Sequence, residues 1–421
     1  MGKSKVAILL LGALFASCLR LNMKVEARGS SPLEIEIDAK LKLLNKPAVK
    51  TFKSEDGDII DCVDIYKQHA FDHPALKDHI IQAIPDFLLE SRSSSTEEAS
   101  ISDSCGFQTW QRSESCPKGT IPIARILKKD LLRATSLERF GMKPPEVFKN
   151  STNYRNLHFS NLNNIPKHLS AAYLETTGDG IYIGSETDIN VWNPKVNLPD
   201  DFTTAQMWLK AYNGPDFESV EAGWTVNPKV YGDKRTRLFA YWTKDSYKKT
   251  GCFDSRYCCG FVHTNNEVWL GAVISKVSRL YGPQSVFTVG IFLEPHTSNW
   301  WLRVNNNISI GYWPGVLFDK LRHNATSVQW GGQVFSSKVK ETPHTKTWMG
   351  SGHFASSGQL ERQACFINRT RIRDASEQLK YPPSVRVMAD EPFCYNSMNI
   401  ESGYEPVFYF GGPGQNPPNC P

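Results

Sequence analysis

The chain has 421 residues, of which 40% are hydrophobic and 22% charged, and its formal net charge is +5. Because single hydrophobic cores stop growing near roughly 250–300 residues, this length predicts one large domain and a smaller one. Acidic and basic residues are interspersed, without the concentrated basic face typical of nucleic-acid binding, so we expect no nucleic-acid partner.

The first residues have the pattern of a secretory signal peptide. Lys3 and Lys5 precede an apolar run over residues 6–15, and residues 25–27 (Val-Glu-Ala) offer a small-residue cleavage site. The run is much shorter than the ~20 residues that a membrane-spanning helix needs, and no later segment reaches that length. We therefore expect a signal peptide at residues 1–27, a secreted protein and no membrane association.

Cysteines and glycosylation sequons agree with an oxidising, extracellular destination. Cys18 would leave with the signal peptide, so nine of the ten cysteines remain, and an odd number leaves at least one thiol free or bonded to another chain. Four Asn-X-Ser/Thr sequons predict N-glycosylation. They are centred on Asn150, Asn307, Asn324 and Asn368.

The ordered part of the chain begins with a predicted helix and a predicted hairpin. Apolar residues recur at helical spacing from Leu33 to Leu44, and the helix should end near Asn45. The runs Ala48–Lys53 and Asp58–Val63 then flank a Glu-Asp-Gly turn, which predicts a β-hairpin.

Two segments of polar or Asn- and Pro-rich composition divide the chain. Residues 91–104 are mostly Ser, Glu, Thr and Asp, which is typical of a solvated linker. Residues 142–166 are rich in Asn and Pro, so we expect a boundary there. The predicted organisation is thus a small segment at residues 28–165 and a large domain at residues 166–421.

The large domain has the composition of an all-β fold. From His168 onward, short β-branched and aromatic runs recur between clusters of Gly, Asn, Asp and Pro, without a long helical pattern, so we expect an antiparallel β-sandwich or barrel. The runs are Gly180–Ile183, Phe239–Trp242, Glu267–Ile274, Val286–Phe292, Trp300–Val304, Ile308–Trp313 and Val407–Phe410.

Several catalytic motifs are missing from the sequence. It contains no G-x-S-x-G elbow, no H-E-x-x-H motif, no P-loop and no dinucleotide fingerprint. The spacing of His73 and His79 does not match a zinc site, so we expect no metal and no cofactor. Ser351 and His353 lie close together, but a turn or bulge explains Gly350–Phe354 better than a serine nucleophile does.

Two strand-like segments carry the chemistry that we consider functional. In Val220–Trp224 a carboxylate, Glu221, shares a strand face with Gly223. In Val328–Gln333 two amides, Gln329 and Gln333, share a face with the glycine between them. A glycine between polar groups on a strand suggests that another backbone, such as a substrate, comes close. Spacing alone does not separate this interpretation from ordinary surface residues.

Together with these segments, a series of motifs resembles the plant neprosin family from about residue 33 to the C-terminus. The early blocks at residues 58–68 and 71–77 resemble its activation peptide. The later blocks resemble its peptidase domain and lie at residues 221–224, 250–253, 260–262, 311–314, 330–332, 349–354 and 409–414.

This resemblance implies a secreted glutamic endopeptidase made as a zymogen, in which a small α+β pro-segment precedes an antiparallel β-sandwich catalytic domain. The family prefers cleavage after proline and works at acidic pH. The first of its two catalytic glutamates maps onto Glu221. The second maps onto position 333, where this chain has Gln333, and Gln329 is the only other nearby amide.

The glutamine changes the chemistry that the resemblance implies. In a carboxylate pair, one ionised group activates water while the other, protonated, donates to the carbonyl or the leaving amine. Gln333 has no transferable proton, but its N–H can stabilise an oxyanion, a contribution of about 2.7–4 kcal/mol. Fungal glutamic peptidases of similar fold use such a Glu/Gln pair. Loss of the donor would instead cost about 10²–10⁴ in rate.

Two other functions remain open at this point. The first alternative is a catalytically impaired neprosin-like protein that binds proline-rich peptides or cell-wall glycans. The second is a purely structural apoplastic protein. For the enzyme we expect a proline-containing peptide or protein as the substrate. We expect a monomer that is secreted to the apoplast or cell wall or is vacuolar. The N-terminal segment would be an intramolecular inhibitor or, alternatively, a permanent domain.

The resemblance also suggests disulfides and contacts for the substrate. The implied pairs are Cys62–Cys116, Cys252–Cys258 and Cys394–Cys420, and Cys105, Cys259 and Cys365 are left without an assigned partner, although the last two could pair. Aromatic residues near the two segments could stack on a proline ring or pack in the sandwich core. These are Trp224, Tyr241, Trp242 and Trp330, and Gln329 is a further candidate for substrate binding.

Overall fold

The computed structural model describes residues 31–90, 114–134, 136–144, 168–178, 180–254, 260–305, 308–356, 360, 362–401 and 405–421. Several predicted features lie outside this part of the chain. They are the signal peptide, the linker at residues 91–104, the sequons at Asn150 and Asn307, and Cys105, Cys258 and Cys259.

The chain begins with the predicted helix, α1 (Pro32–Leu44), which ends at Asn45. Ser31 and Glu34 form a capping box, in which each side chain accepts a hydrogen bond from the backbone N–H of the other. The side-chain amide of Asn45 then bonds both backbone groups of Ile126, at 2.8 and 2.9 Å, and so ties the helix end to a later segment.

The predicted hairpin forms and gains a third strand. Strands β1 (Ala48–Lys53), β2 (Ile59–Asp64) and β3 (Thr120–Ala124) make an antiparallel sheet in that order. The predicted disulfide Cys62–Cys116 is present and joins β2 to the segment before β3. Besides four short 3-10 helices, three further short α-helices lie in the described residues. They are α2 (Asp86–Glu90), α3 (Lys128–Leu132) and α4 (Pro228–Tyr231).

Two antiparallel sheets form the body of the molecule, as predicted. Within the described residues, one sheet has six strands, in the order β16 (Val385–Ala389), β4 (Leu169–Thr176), β13 (Ser327–Phe335), β6 (Phe202–Asn213), β7 (Asp216–Val226) and β8 (Arg237–Thr243). The other has nine: β17 (Asn396–Ile400), β18 (Val407–Gly411), β14 (Cys365–Asp374), β5 (Tyr182–Asn190), β10 (Val286–Glu294), β11 (Asn299–Val304), β12 (Ile308–Trp313) and β9 (Val262–His263), with β15 (Leu379–Lys380) paired to β14.

The main hydrophobic core lies between these sheets. Alternate residues of each strand point inward, so Val220, Ala222 and Trp224 of β7 are buried there together with Trp330 of β13. The intervening residues of β7, Glu221 among them, therefore face the outer side of the six-stranded sheet.

The N-terminal segment covers part of that outer face. A second apolar cluster joins Ile37 and Leu44 of α1, Leu131 of α3 and Phe140 to Phe239, which lies on β8. This packing places residues 139–144 against β7 and β8, where Lys143 contacts Glu221 and Tyr241.

One predicted strand is wrong. Residues 267–274 form a turn and an extended segment with a single isolated bridge, between Val273 and Arg237. The side chain of Asn265 accepts hydrogen bonds from the backbone N–H groups of Glu267 and Val268, each at 2.8 Å, and the positive φ of Gly271 bends the chain again. The apolar residues are buried, so their hydrophobicity reflects core packing and not a strand.

The remaining disulfides partly follow the prediction. Cys394 and Cys420 are bonded as expected. Cys252 is disulfide-bonded, and its expected partner lies outside the described residues. Cys365 is a free, buried thiol, so it is not the partner of Cys259. No helix in the described part of the chain is long and apolar enough to cross a membrane.

Candidate active site

The candidate site is built around a completely buried carboxylate on the outer face of the six-stranded sheet. Oε1 of Glu221 accepts hydrogen bonds from Ser219 Oγ, at 2.7 Å, and from the hydroxyl of Tyr247. Oε2 accepts one from Gln206 Nε2 at 2.7 Å and lies 2.5 Å from Lys143 Nζ. Four donors from separate parts of the chain thus satisfy one carboxylate.

Lys143 comes from the N-terminal segment and is held in an aromatic enclosure. Its side chain is completely buried, and its backbone N–H donates to the hydroxyl of Tyr241 at 2.9 Å. The ammonium group lies 4.8–6.0 Å from four ring centroids, a distance at which aromatic faces attract a cation. The rings are those of Phe239, Tyr241, Tyr247 and Phe253.

The pKa of Glu221 follows from these contacts. Complete burial by itself would raise the pKa, but the charge and hydrogen bond of Lys143, with the hydrogen bonds of Tyr247 and Ser219, more than offset burial and hold it below its usual value. Glu221 is therefore ionised and neutralised by Lys143 when the N-terminal segment is in place.

Strand register defines the neighbours of Glu221 on the outer face. One cross-strand row runs through Tyr241 of β8, Glu221 of β7, Trp208 of β6, Gln329 of β13 and Glu175 of β4. We call this set the Glu221 row. Gln329 lies two strands from Glu221, about 10 Å between Cα atoms.

The predicted pairing of Glu221 with Gln333 is corrected by the same register. Gln333 lies opposite Thr204, in a row that is four residues along the strands from the Glu221 row. Four residues add about 13 Å, so the Cα atoms of Glu221 and Gln333 are roughly 16 Å apart. Of the two amides, Gln329 is the one aligned with Glu221.

Gln206 lies in the cross-strand row midway between the rows of Glu221 and Gln333. Its neighbours in that row are two glycines, Gly223 on β7 and Gly331 on β13. A Cβ atom at Gly223 would lie 2.1 Å from the carbonyl oxygen of Ala205, and one at Gly331 would meet the next strand equally closely. Buried side-chain oxygens of Gln206 and Gln333 have no hydrogen-bond partner among the described residues. This strip of the sheet can therefore accept hydrogen bonds from N–H groups.

At the far end of the Glu221 row lies a second buried carboxylate, Glu175. Its Oε1 accepts from Gln329 Nε2 at 2.7 Å and from Ser327 Oγ at 3.0 Å. Its Oε2 accepts from two guanidinium nitrogens of Arg386, at 2.6 and 2.8 Å. Sequence reasoning missed this group.

Comparison with protein families decides what kind of chain this is. The family model described as neprosin matches residues 199–413, just over half of the chain, and that of the neprosin activation peptide matches residues 51–171. The chain belongs to the neprosin family. A neprosin domain behind an activation peptide supports a peptidase made as a zymogen, with the pro-segment bound intramolecularly.

This neprosin-family chain is also similar to solved structures of peptidases. Scytalido-glutamic peptidase with a peptide-based transition-state analogue matches at 8% identity and a TM-score of 0.30, over 58% of this chain and 97% of that one. SCP-B, a member of the eqolisin family of peptidases, in complex with a tripeptide, matches at 6% identity and a TM-score of 0.29, over 58% of this chain and 96% of that one.

Among the aromatic residues expected to bind substrate, Tyr241 is on the Glu221 face. Trp224 and Trp330 lie in the core, where their indole N–H groups donate to Asn190 O and Ser185 Oγ. Trp242 is also buried in that core. On the other side of Glu221 in its row lies Trp208, which alternation along β6 could have identified.

The histidines and sulfurs of this neprosin-family chain form no catalytic or metal centre that we can recognise in the described residues. His79 bonds the hydroxyl of Tyr312 at 2.8 Å. In Gly350–Phe354, Ser351 Oγ accepts from the backbone N–H of His353, within a turn. His344 approaches two cysteine sulfurs, but Cys394 and Cys420 are bonded to each other.

Proposed function

We propose that this protein is a secreted glutamic endopeptidase, made as a zymogen, that hydrolyses peptide bonds after proline at acidic pH. The observation that carries the proposal is the buried ion pair between Glu221 on the sheet and Lys143 from the N-terminal segment. A carboxylate held ionised by a removable cation is a base that becomes available when the cation leaves.

In the proposed reaction Glu221 is the general base. With Lys143 withdrawn, its carboxylate takes a proton from a water molecule that attacks the scissile carbonyl. Ser219, Gln206 and Tyr247 keep their hydrogen bonds to the carboxylate and hold its orientation. The proton then passes from Glu221 to the leaving amine, so one carboxyl group serves first as base and then as acid.

An amide supplies the oxyanion stabilisation in this proposal. Gln329 takes that role in place of Gln333, because the register aligns it with Glu221. An amide N–H aimed at a developing oxyanion contributes about 2.7–4 kcal/mol. The absent second proton donor costs part of the rate, so we expect a slower enzyme than one with two carboxylates.

Trp208 supports the preference for proline. It lies between Glu221 and Gln329 in the Glu221 row, where the residue before the scissile bond would rest. An indole offers a flat apolar surface for the pyrrolidine ring, and Tyr241 borders the other side of Glu221.

The N-terminal segment is the inhibitor of its own protease in this proposal, and acid removes it. Because the pKa of Glu221 is lowered in the folded chain, the ion pair is intact above that pKa and is lost as the pH falls through it. Lys143 would then be a buried cation without a counter-charge, which favours its withdrawal into water.

Digestion of a proline-containing peptide by the acid-treated, secreted full-length chain tests the proposal. Wild type should cleave after proline, and Glu221→Gln should not. Glu186→Gln is the matched control, since Glu186 is paired with Arg303 on the other sheet and should not affect cleavage. Cleavage by Glu221→Gln at the wild-type rate would exclude Glu221 as the base.

A binding protein for proline-rich peptides or cell-wall glycans is the second candidate function. It is favoured by the two amides, because neither Gln329 nor Gln333 can transfer a proton. It predicts saturable binding without turnover in the wild type. Turnover gained on introducing a carboxylate at one of these positions would identify a protein that has lost its proton donor.

A further inference from the structure

Glu175 lies beyond Trp208 and Gln329 in the Glu221 row, and its set of contacts resembles that of Glu221. Each carboxylate accepts one hydrogen bond from a serine and one from a glutamine amide and is paired with a cation. For Glu221 the donors are Ser219, Gln206 and Lys143; for Glu175 they are Ser327, Gln329 and Arg386. Glu175 is 5% exposed, so its contacts are not those of a solvated surface acid.

The hydrogen bond from Gln329 to Glu175 has a defined direction. A carboxylate only accepts hydrogen bonds, so the group that Gln329 offers must be its N–H and not its carbonyl oxygen. Arg386 binds the other oxygen of Glu175 through two nitrogens and so fixes the orientation of the carboxylate. The amide of Gln329 is thereby held in one of its two possible orientations.

Orientation matters because the two ends of an amide have opposite effects on an oxyanion. An N–H directed at the negative oxygen stabilises it, whereas a carbonyl oxygen in that place repels it. A glutamine without a fixed partner can rotate between the two. Of the two β13 amides on this face, Gln333 has a side-chain oxygen without a partner among the described residues, whereas Gln329 is bonded to Glu175.

We propose that Glu175 is a positioning residue of the active site: it binds one N–H of Gln329 and directs the other N–H toward the oxyanion. This inference rests on the proposed function for its catalytic consequence. The hydrogen bond itself can be tested without any turnover, so the two ideas can fail separately.

The first experiment measures steady-state kinetics on a proline-containing peptide with the acid-treated full-length chain. Glu175→Gln keeps the shape of the side chain but lets the amide of Gln329 turn, so we expect kcat to fall about 10- to 100-fold with KM unchanged. Glu175→Asp, which restores the carboxylate, should recover part of kcat. Glu186→Gln again serves as the control, and melting temperatures establish that each variant is folded.

A rise in KM without a change in kcat would overturn the positioning role, because it would mean that Glu175 contributes only to substrate binding. An unchanged kcat in Glu175→Gln would overturn it as well.

The second experiment does not depend on activity. In the full-length Glu221→Gln background, Gln329→Glu introduces a carboxyl group at hydrogen-bond distance from Glu175. Two carboxyl groups so close share a proton, so the pKa at position 329 should be raised well above its usual value of about 4.3. Adding Glu175→Gln should remove the increase. Carbon-13 NMR titration of labelled glutamate measures both.

Other charged or titratable groups near position 329 do not confuse this comparison. Tyr173 is present in both variants, and Arg386, which pairs with Glu175, would lower the pKa at position 329 further once Glu175 is removed, so it acts in the expected direction. Equal pKa values in both variants would refute the contact. If the wild type cleaves nothing while the pKa values differ, the proposed function fails and the contact between Glu175 and position 329 stands.

Discussion

The ammonium nitrogen of Lys143 lies 2.5 Å from Oε2 of Glu221, and both side chains are completely buried. The two residues are 78 positions apart in sequence and belong to the N-terminal segment and to β7. Burying a single charge costs far more than burying a satisfied pair, so each residue keeps the other in place. While Lys143 of the N-terminal segment occupies the site, the proposed base Glu221 is held in its ionised form.

Removing the cation should release the N-terminal segment without acid. In Lys143→Met the buried carboxylate loses its counter-charge, so the pKa of Glu221 should rise and the segment should bind less tightly. We expect peptide cleavage by the full-length Lys143→Met chain near neutral pH and none by the wild type at that pH. Lys248→Met, which removes a lysine paired with Asp216 at the surface, is the control. The same acid requirement in Lys143→Met and wild type would contradict this prediction.

The pH dependence of stability should report the same pair. Since the pKa of Glu221 is lowered, its ion pair stabilises the folded chain above that pKa, and the stabilisation is lost as the pH falls through it. In Glu221→Gln the uncompensated Lys143 should reduce the free energy of unfolding at pH 7 by about 3–5 kcal/mol.

The melting temperature of the full-length chain between pH 7 and pH 3 measures this effect. The decline should be shallower in Glu221→Gln than in wild type, though not abolished, because Asp233, which pairs with Arg237, also has a lowered pKa. Parallel curves for the two proteins would show that Glu221 does not contribute to the acid response.

The sequence predicted the faces of these strands but not their alignment. Alternation in Val220–Val226 correctly separates Glu221 from the core residues, because side chains on a strand have a period of two. The same period gives Gln329 and Gln333 the same face, so it cannot choose between them. Only the register of β13 against β6 makes that choice.

Long-range packing explains why other parts of the site were missed. Lys143 lies at the start of an Asn- and Pro-rich stretch that we interpreted as a domain boundary, and its contact depends on how the N-terminal segment folds over β7. Helix α1 was predictable because its capping box and apolar spacing are local. No local sequence pattern marked Glu175 as part of the site, since its partner Arg386 is 211 residues away.

A carboxylate at the correct amide position should supply the missing proton donor. If Gln329 is aligned with Glu221, Gln329→Glu should increase kcat, by up to the ~10²-fold that general acid catalysis contributes at its lower limit. Gln333→Glu should leave kcat near the wild-type value. Initial rates on a proline-containing peptide from pH 3 to pH 7 compare the variants. Activation by Gln333→Glu alone would contradict this prediction and support the pairing of Glu221 with Gln333 that the sequence suggested.

Removing the hydroxyl of Tyr247 should change the pKa of the proposed base in the active enzyme. This hydroxyl donates to Oε1 of Glu221, and a hydrogen bond to the charged form lowers a carboxyl pKa. In Tyr247→Phe the pKa should therefore rise. Because a base works only when ionised, the rise of kcat/KM with pH should shift to higher pH.

The matched control is Tyr231→Phe, which removes a hydroxyl bonded to Asp254 at 2.8 Å and not to Glu221. Its profile should coincide with that of the wild type. With a single catalytic carboxylate, each profile should also rise through one acidic pKa and show no second acidic limb. A Tyr247→Phe profile shifted to lower pH would contradict the assignment of Glu221 as the base, since loss of a donor cannot stabilise the ionised carboxylate.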